Sequence, residues 1–468
     1  MTKNIVIILV GALVIALPFL FRQAPQISYW QYGDPEIVVI TPHNEAIRFE
    51  FGRAFSLWHR QHYGKSAKVD WRALGGTTEI MRYLEGSFLA AYRAYYQRQG
   101  KPWPAAATQK LTENSLKPDG SLVDEIYRNF RTIDDPALFS SGIDVFFGGG
   151  EYDHSTAFKR GLTVMPWPED QPPPNLFTQD GIALIPKQLS GETWRTPTLF
   201  GVALSTFGIC YNKDRLRELA MDTPTRWDDL ANPKLLGQVG VADPTKSGSI
   251  AKAYEMIIQQ KIQQAVLAAG YSNDDIDRFE SIFDKAHGKP WEVPTDVPEQ
   301  YQQAVEAGWW QGLQLIARIG ANARYFTDSA TKVPLDVSKG DAALGLAIDF
   351  YGRYQSEYSR AADGTERMAF VTPEGGSSVS SDPVSLLRGA PHKELAVRFI
   401  QFLLSDDGQK LWNYRPGVAG GPIKYALRRL PIKRSFYPSE QTSLNQLFEM
   451  HRPYLTDDMS YPAITTYE

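Results

Sequence analysis

The chain has 468 residues, of which 43% are hydrophobic and 22% charged, with a formal net charge of -4. That length argues for two or three domains rather than one core, and the composition excludes a disordered or many-spanning protein and gives no charge-based reason to bind nucleic acid. The single cysteine, Cys210, excludes an internal disulfide framework and a multi-cysteine zinc site, and its GICYN setting reads as a strand with a buried thiol.

The run Ile5 to Phe21 is apolar and follows Lys3. It sits between a signal-peptide core of about 7 to 15 residues and a membrane span of about 17 to 25. No cysteine follows it, so it is not a lipoprotein signal, and Phe19 to Arg22 make a poor small-x-small cleavage site before Ala24. Residues 1–25 are therefore read as a signal sequence or an uncleaved N-terminal anchor. With residues 5–21 tethering it to the inner membrane, the rest of the chain is expected in the periplasm or another extracytoplasmic space.

EIVVIT, Glu36 to Thr41, reads as a buried parallel strand, and Ile47, Phe51, Phe55 and Trp58 recur at helical spacing behind it. Val69 to Arg72 reads as a second strand, and a glycine-threonine turn then opens another helix. This alternation predicts βαβ units whose loops at the carboxyl ends of strands bind ligands. Residues 86–140 break the pattern and read as an insertion, as do 263–310. The loop PWPEDQPPP, Pro166 to Pro174, is too proline-rich for regular structure.

Four segments carry chemistry. His43, Asn44 and Glu45 follow the first strand, where a histidine beside a glutamate suits a metal or a hydrogen-bonding ligand. A plain helix start at Asn44 or Glu45 fits the local sequence equally well. In GGTTE, Gly76, Thr77 and Thr78 place amides and hydroxyls at a helix start, a layout that suits an anion or simply caps the helix. Ser247, Gly248 and Ser249 repeat that layout between the strand QVGVA and the helix AKAYEMII. Finally, an apolar strand ends at Asp349 and delivers Phe350 and Tyr351 to a loop, for packing or for ligand contact. There is no GxSxG elbow, no HExxH and no histidine cluster at metal-ligand spacing; His59 and His62 read as a solvated helix face. A non-catalytic protein is expected. A small-phosphate-ester hydrolase with His43 and Glu45 as base and orienter is the enzymatic alternative.

The segments VVITPHNEAI, DVFF, GICYNKDRL, TPTRWDDLANPKLLGQVGVADPTKSGS, GDAALGLAIDFY and LLRGAPHKELAVRFIQFLLSDDGQKLW, in that order, resemble the family 1 extracellular solute-binding proteins, particularly the ferric-ion-binding branch. The resemblance implies an α/β two-lobed clamp of the type II periplasmic-binding-protein fold, each lobe a mostly parallel sheet flanked by helices. It places lobe 1 at 36–205 plus 376–425 and lobe 2 at 206–375 plus 426–468. It implies a monomer that binds a small-molecule or metal ligand and works with an ABC permease and ATPase, with no cofactor required. Iron(III) with a synergistic anion is one implied cargo. His43 falls at a histidine ligand position, Ser247 to Ser249 at the anion position and Tyr351 at the second of two paired tyrosines. Phe350 replaces the first tyrosine, and Gly149 replaces a glutamate ligand, with Glu151 two residues later. A phosphorylated, phosphonate or carboxylate solute is the alternative cargo, because the anion segments are kept better than the hard oxygen ligands that ferric iron favours.

Overall fold

The computed structural model describes residues 29–436 except 170, 180, 190–191, 287–295 and 415. The segment read as a signal or anchor, and the tail from 437, lie outside the described residues. Among those described, no helix is long and apolar enough to cross a membrane.

Strand β1 (Glu36–Ile40) pairs in parallel with β2 (Lys68–Arg72) and β3 (Val145–Phe147). Between β1 and β2 runs α1 (Glu45–Tyr63), whose Ile47, Phe51, Phe55 and Trp58 bury one stripe against the sheet. Helix α2 (Thr77–Arg98) follows, then α3 (Ala105–Lys110) and α4 (Leu122–Thr132). Segment 86–140, expected as an insertion, prolongs α2 and packs α4 on it through Phe88, Tyr92 and Phe130. The same cluster takes in Ile40, Phe146 and Leu387, alternate residues of the strands whose neighbours face α1, so the segment covers the sheet's other face. Next come α5 (Glu151–Lys159), β4 (Thr163–Val164) and two small hairpins, β5 (Thr178–Gln179) with β6 (Ile182–Ala183) and β7 (Gln188–Leu189) with β8 (Glu192–Thr193).

β9 (Phe200–Ser205) hands the chain at Thr206 to β10 (Phe207–Asn212), which belongs to a second sheet. The second lobe continues through α6 (Lys213–Glu218), β11 (Val239–Ala242), α7 (Gly248–Ala268), α8 (Asn273–Ala286), α9 (Glu299–Ala321), β12 (Ala323–Thr327), α10 (Lys332–Lys339), β13 (Leu344–Ile348), α11 (Asp349–Tyr358) and β14 (Met368–Val371). Segment 263–310 supplies the end of α7, all of α8 and the start of α9, joined by Val266, Phe279 and Tyr301. Gly308 and Gly312 let α9 lie close on α7, since a Cβ there would stand 2.4 and 2.8 Å from backbone atoms of Ile262 and Ile258.

The chain returns through β15 (Ser380–Leu387), α12 (Lys393–Leu404), α13 (Asp406–Asn413) and β16 (Leu430–Pro431). The two crossings touch, Thr206 Oγ1 lying 3.2 Å from Thr372 Oγ1 and Phe207 N donating to Ser377 Oγ at 2.8 Å. The sheet orders are β16-β9-β15-β3-β1-β2 and β12-β11-β13-β10-β14. Parallel pairing is kept in β2-β1-β3 and β12-β11-β13, whereas the crossing strands β9, β15 and β10 enter antiparallel, so each sheet is mixed. One boundary needs correction: residues expected in lobe 2 from 426 onward lie with the first lobe as far as 431, because Leu430 and Pro431 pair with Leu204 and Ala203. His59 is also not solvated. It is buried, Nδ1 lying 2.7 Å from the Lys65 carbonyl and Nε2 3.1 Å from Arg398 Nη1.

Candidate functional site

The carboxyl ends of β1, β3, β11 and β13 open on a cleft of about 550 Å³ between the lobes. Five helices begin on its walls: α2 after Gly76, α5 after Gly150, α7 after Ser247, α10 after Thr331 and α11 after Ile348. None of these five N-cap residues makes a side-chain hydrogen bond into its helix. Away from the cleft, α1, α4, α6 and α13 are capped by Asn44, Ser121, Asn212 and Ser405, while α3, α9 and α12 have no side-chain cap either. First-turn N–H groups lack a carbonyl partner on a preceding turn, so the cleft collects donors and positive dipole ends, except that Phe350 N of α11 donates to Asp349 Oδ1.

Opposite these helix ends lies a buried ion cluster. His43 Nε2 is 2.8 Å from Asp382 Oδ2, and Arg429 Nη1 donates to the same oxygen at 2.6 Å. The other Asp382 oxygen accepts from Gly149 N at 3.0 Å, and Arg429 Nη2 donates to Ser205 Oγ at 2.5 Å. Burial would raise the Asp382 carboxyl, but Arg429 and His43 outweigh it and hold the group at about 2. Burial pushes His43 below its ordinary value against the pull of Asp382, so the neutral ring donates from Nε2 to an ionised carboxylate. The Arg429 guanidinium also lies 4.1 Å from the Phe350 ring. Burial raises the neighbouring Tyr351 phenol well above its usual range.

The lobes meet across the cleft. A Cβ at Gly76 would lie 2.4 Å from the Lys246 carbonyl oxygen, one at Gly248 would lie 2.9 Å from Thr77 Oγ1, and Glu192 and Lys252 form an ion pair at 3.0 Å. Gly149, at φ 109, keeps a left-handed turn that favours glycine.

Of the residues singled out from sequence, His43, Gly76, Thr77, Thr78, Gly149, Glu151, Ser247, Gly248, Ser249 and Tyr351 all line the cleft. Three do not. Asn44 caps α1 by accepting from Ile47 N at 3.1 Å, Glu45 lies in that helix's first turn, and Asp349 is fully buried with Oδ1 accepting from Phe350 N at 2.7 Å. The His43–Glu45 pair that a hydrolase would need is thus not assembled at the cleft; the partner of His43 is Asp382. Of the three expected metal ligands, His43 engages Asp382, Glu151 accepts from Ser155 Oγ, and Tyr351 is a partly buried phenol on the cleft wall. Among the described residues no group of three His, Cys, Asp or Glu side chains stands together as a metal site. Sequence reading missed Asp382, Arg429 and Ser205. An aspartate inside the apolar strand SSDPVSLL was the one local signal, since a buried carboxylate needs partners.

The sequence profile of the bacterial extracellular solute-binding proteins matches residues 140–410. An uncharacterized protein of Haemophilus influenzae is 22% identical over 211 residues, which are 45% of this chain and 46% of that protein, so the match spans about half of either. In structure the chain is similar to the periplasmic binding protein P5PA, with a TM-score of 0.52 at 14% identity, covering 93% of this chain and 95% of that one. It is also similar to the periplasmic binding protein AfuA of Actinobacillus pleuropneumoniae, solved with fructose-6-phosphate bound, with a TM-score of 0.48 at 17% identity over 80% and 81% of the two chains. The two-lobed fold is that of the type II periplasmic binding proteins.

Proposed function

Because the chain belongs to the bacterial extracellular solute-binding proteins, we propose that its cleft captures a small polar solute bearing a phosphate, phosphonate or carboxylate group and delivers it to an ABC permease and its ATPase. The observation that carries this reading is the convergence of five helix starts without side-chain caps on one cleft. Each such end favours an anion by about 0.3 to 1 kcal/mol, and an anion touching both lobes stabilises their closure. Arg429 adds a guanidinium held in place by Asp382 and Ser205. Acidic side chains also line the cleft, among them Glu151, Glu255 and Asp328, and favour a solute whose remaining groups are hydroxyls or amines.

Iron(III) with an anion is the second reading, favoured by the presence of His43, Glu151 and Tyr351 in the same cleft. Against it, Phe350 supplies no oxygen and Arg429 places a fixed positive charge beside the Phe350 ring. Thermal unfolding of the full chain with sugar phosphates, phosphonates, dicarboxylates and ferric iron plus phosphate separates the two. We expect stabilisation by a member of the first three classes and no visible charge-transfer band with iron. A band that disappears in Tyr351→Phe, with no stabilisation by the organic anions, overturns the proposal in favour of iron.

A further inference from the structure

Helix α5 faces two cavities. Glu151, Tyr152 and Asp153 line the cleft, while His154, Ser155, Phe158 and Lys159 line a second cavity of about 480 Å³, bordered by β4, Glu169, the turn at 196–199, Arg131 and Arg388. Volumes of a few hundred Å³ are those of small-molecule sites.

This second cavity holds polar groups that the fold leaves unmatched. Arg388 is only 7% exposed; its Nε donates to the Gly161 carbonyl at 2.6 Å and its Nη1 to the Ile133 carbonyl at 2.9 Å, while Nη2 has no acceptor among the described residues. Arg131 donates to the carbonyls of Leu111, Tyr127, Glu113 and Lys159 and, like Arg388 and Lys159, forms no ion pair among the described residues. Thr163, 2% exposed, also lines the cavity, and its buried Oγ1 has no hydrogen-bond partner among the described residues. Neither guanidinium is in an ion pair among the described residues, and although Glu169 lines the same cavity and Asp134 acts on Arg388 from nearby, the three cationic side chains Arg131, Lys159 and Arg388 outnumber Glu169 on the lining and favour an anion. Phe158 and Met165, 55% and 46% exposed, form an apolar wall beside them.

We propose that this cavity is a second ligand site, separate from the cleft, for a small amphiphilic anion: a phosphate monoester or carboxylate on an apolar body, its acid group at Arg388 and Thr163 and its body against Phe158 and Met165. The site does not depend on what the cleft carries.

Calorimetric titration of the full chain with phenyl phosphate and with inorganic phosphate tests it, in the native protein, in Thr163→Val and in Lys159→Glu. Thr163→Val removes a hydroxyl that bonds nothing in the protein, and Lys159 is exposed, so both variants should fold. We expect phenyl phosphate to bind more tightly than inorganic phosphate, and each variant to weaken it by about tenfold, the equivalent of one lost charge-assisted bond. Equal affinity in all three proteins, whether from binding only in the cleft or from no binding at all, overturns the proposal. Co-sedimentation with phosphatidylglycerol vesicles separates a soluble ligand from a lipid headgroup: vesicle binding lost in Lys159→Glu, with no phenyl phosphate bound, also overturns it.

Discussion

His43, Asp382 and Arg429 on the first lobe face the same cleft as Ser247, Gly248 and Thr331 on the second, and they do so by different means. On the first lobe the ions are interlocked inside the protein, with Asp382 3% and Arg429 1% exposed, so the wall is set before any ligand arrives. The second is built from uncapped helix starts, which on the first lobe (α2 and α5) only flank the ion cluster, and these offer backbone donors whose partner is left for a ligand to supply. The ion cluster cannot lose a partner without destabilising the first lobe, whereas the helix starts can lose binding and keep the fold.

The sharpest way to break this contrast is Arg429→Met. It strands the Asp382 carboxylate in a dry site, and we expect a loss of about 3 to 5 kcal/mol in urea unfolding. Ser247→Ala removes a hydroxyl that caps no helix and should stay within about 0.5 kcal/mol of the native protein. Equal losses would erase the distinction between the walls.

Acid should also act on the first lobe. Burial, its leading cause, holds His154 at about 4 and also lowers His43, so the unfolded chain binds more protons than the folded one below the ordinary value of 6.5. Stability is complete above that value and falls as pH drops toward about 4, His154 alone accounting for about 3 kcal/mol. Asp382 adds a second loss between its ordinary 3.8 and about 2. Urea midpoints measured from pH 7 to 4.5 check this, and His154→Gln should flatten the first fall.

A smaller effect is expected at the meeting of the walls. Gly76→Ala places a Cβ 2.4 Å from the Lys246 carbonyl oxygen, a contact between the two lobes that separating them would relieve. We expect ligand affinity to weaken by about 1 to 3 kcal/mol with the unfolding midpoint unchanged, and small-angle scattering to show a ligand-bound protein that stays open.

The same contrast explains what the sequence disclosed. Helix starts after strands are local, so Gly76 to Thr78 and Ser247 to Ser249 could be placed in the cleft from a few neighbouring residues. The ion cluster is not local: Asp382 lies 339 residues from His43 and Arg429 lies 386 away, and only the return of the chain through β15 and β16 brings them together. Asn44, Glu45 and Asp349 show the reverse error. Each stands at a strand-to-helix junction, where a polar residue serves the helix as readily as a ligand, and the structure gives Asn44 to the helix.

The smallest expected effect tests whether side-chain charge also holds the lobes together. Glu192, on the hairpin strand β8 of the first lobe, pairs with Lys252 on α7 of the second at 3.0 Å, with the two side chains 15% and 25% exposed. Burial works against the Lys252 charge, yet Glu192 and Glu255 outweigh it and raise the group above its ordinary value. Such a partly exposed pair is worth about 0.2 to 1 kcal/mol and is screened by salt. Glu192→Gln should therefore speed ligand release by about two- to fivefold in dilute buffer and have little effect at about 1 M salt, where the screening length is about 3 Å. Stopped-flow release at both salt concentrations measures it. A loss as large as that of Gly76→Ala, and insensitive to salt, would mean that the hairpin rather than the backbone contacts at Gly76 and Gly248 holds the clamp shut.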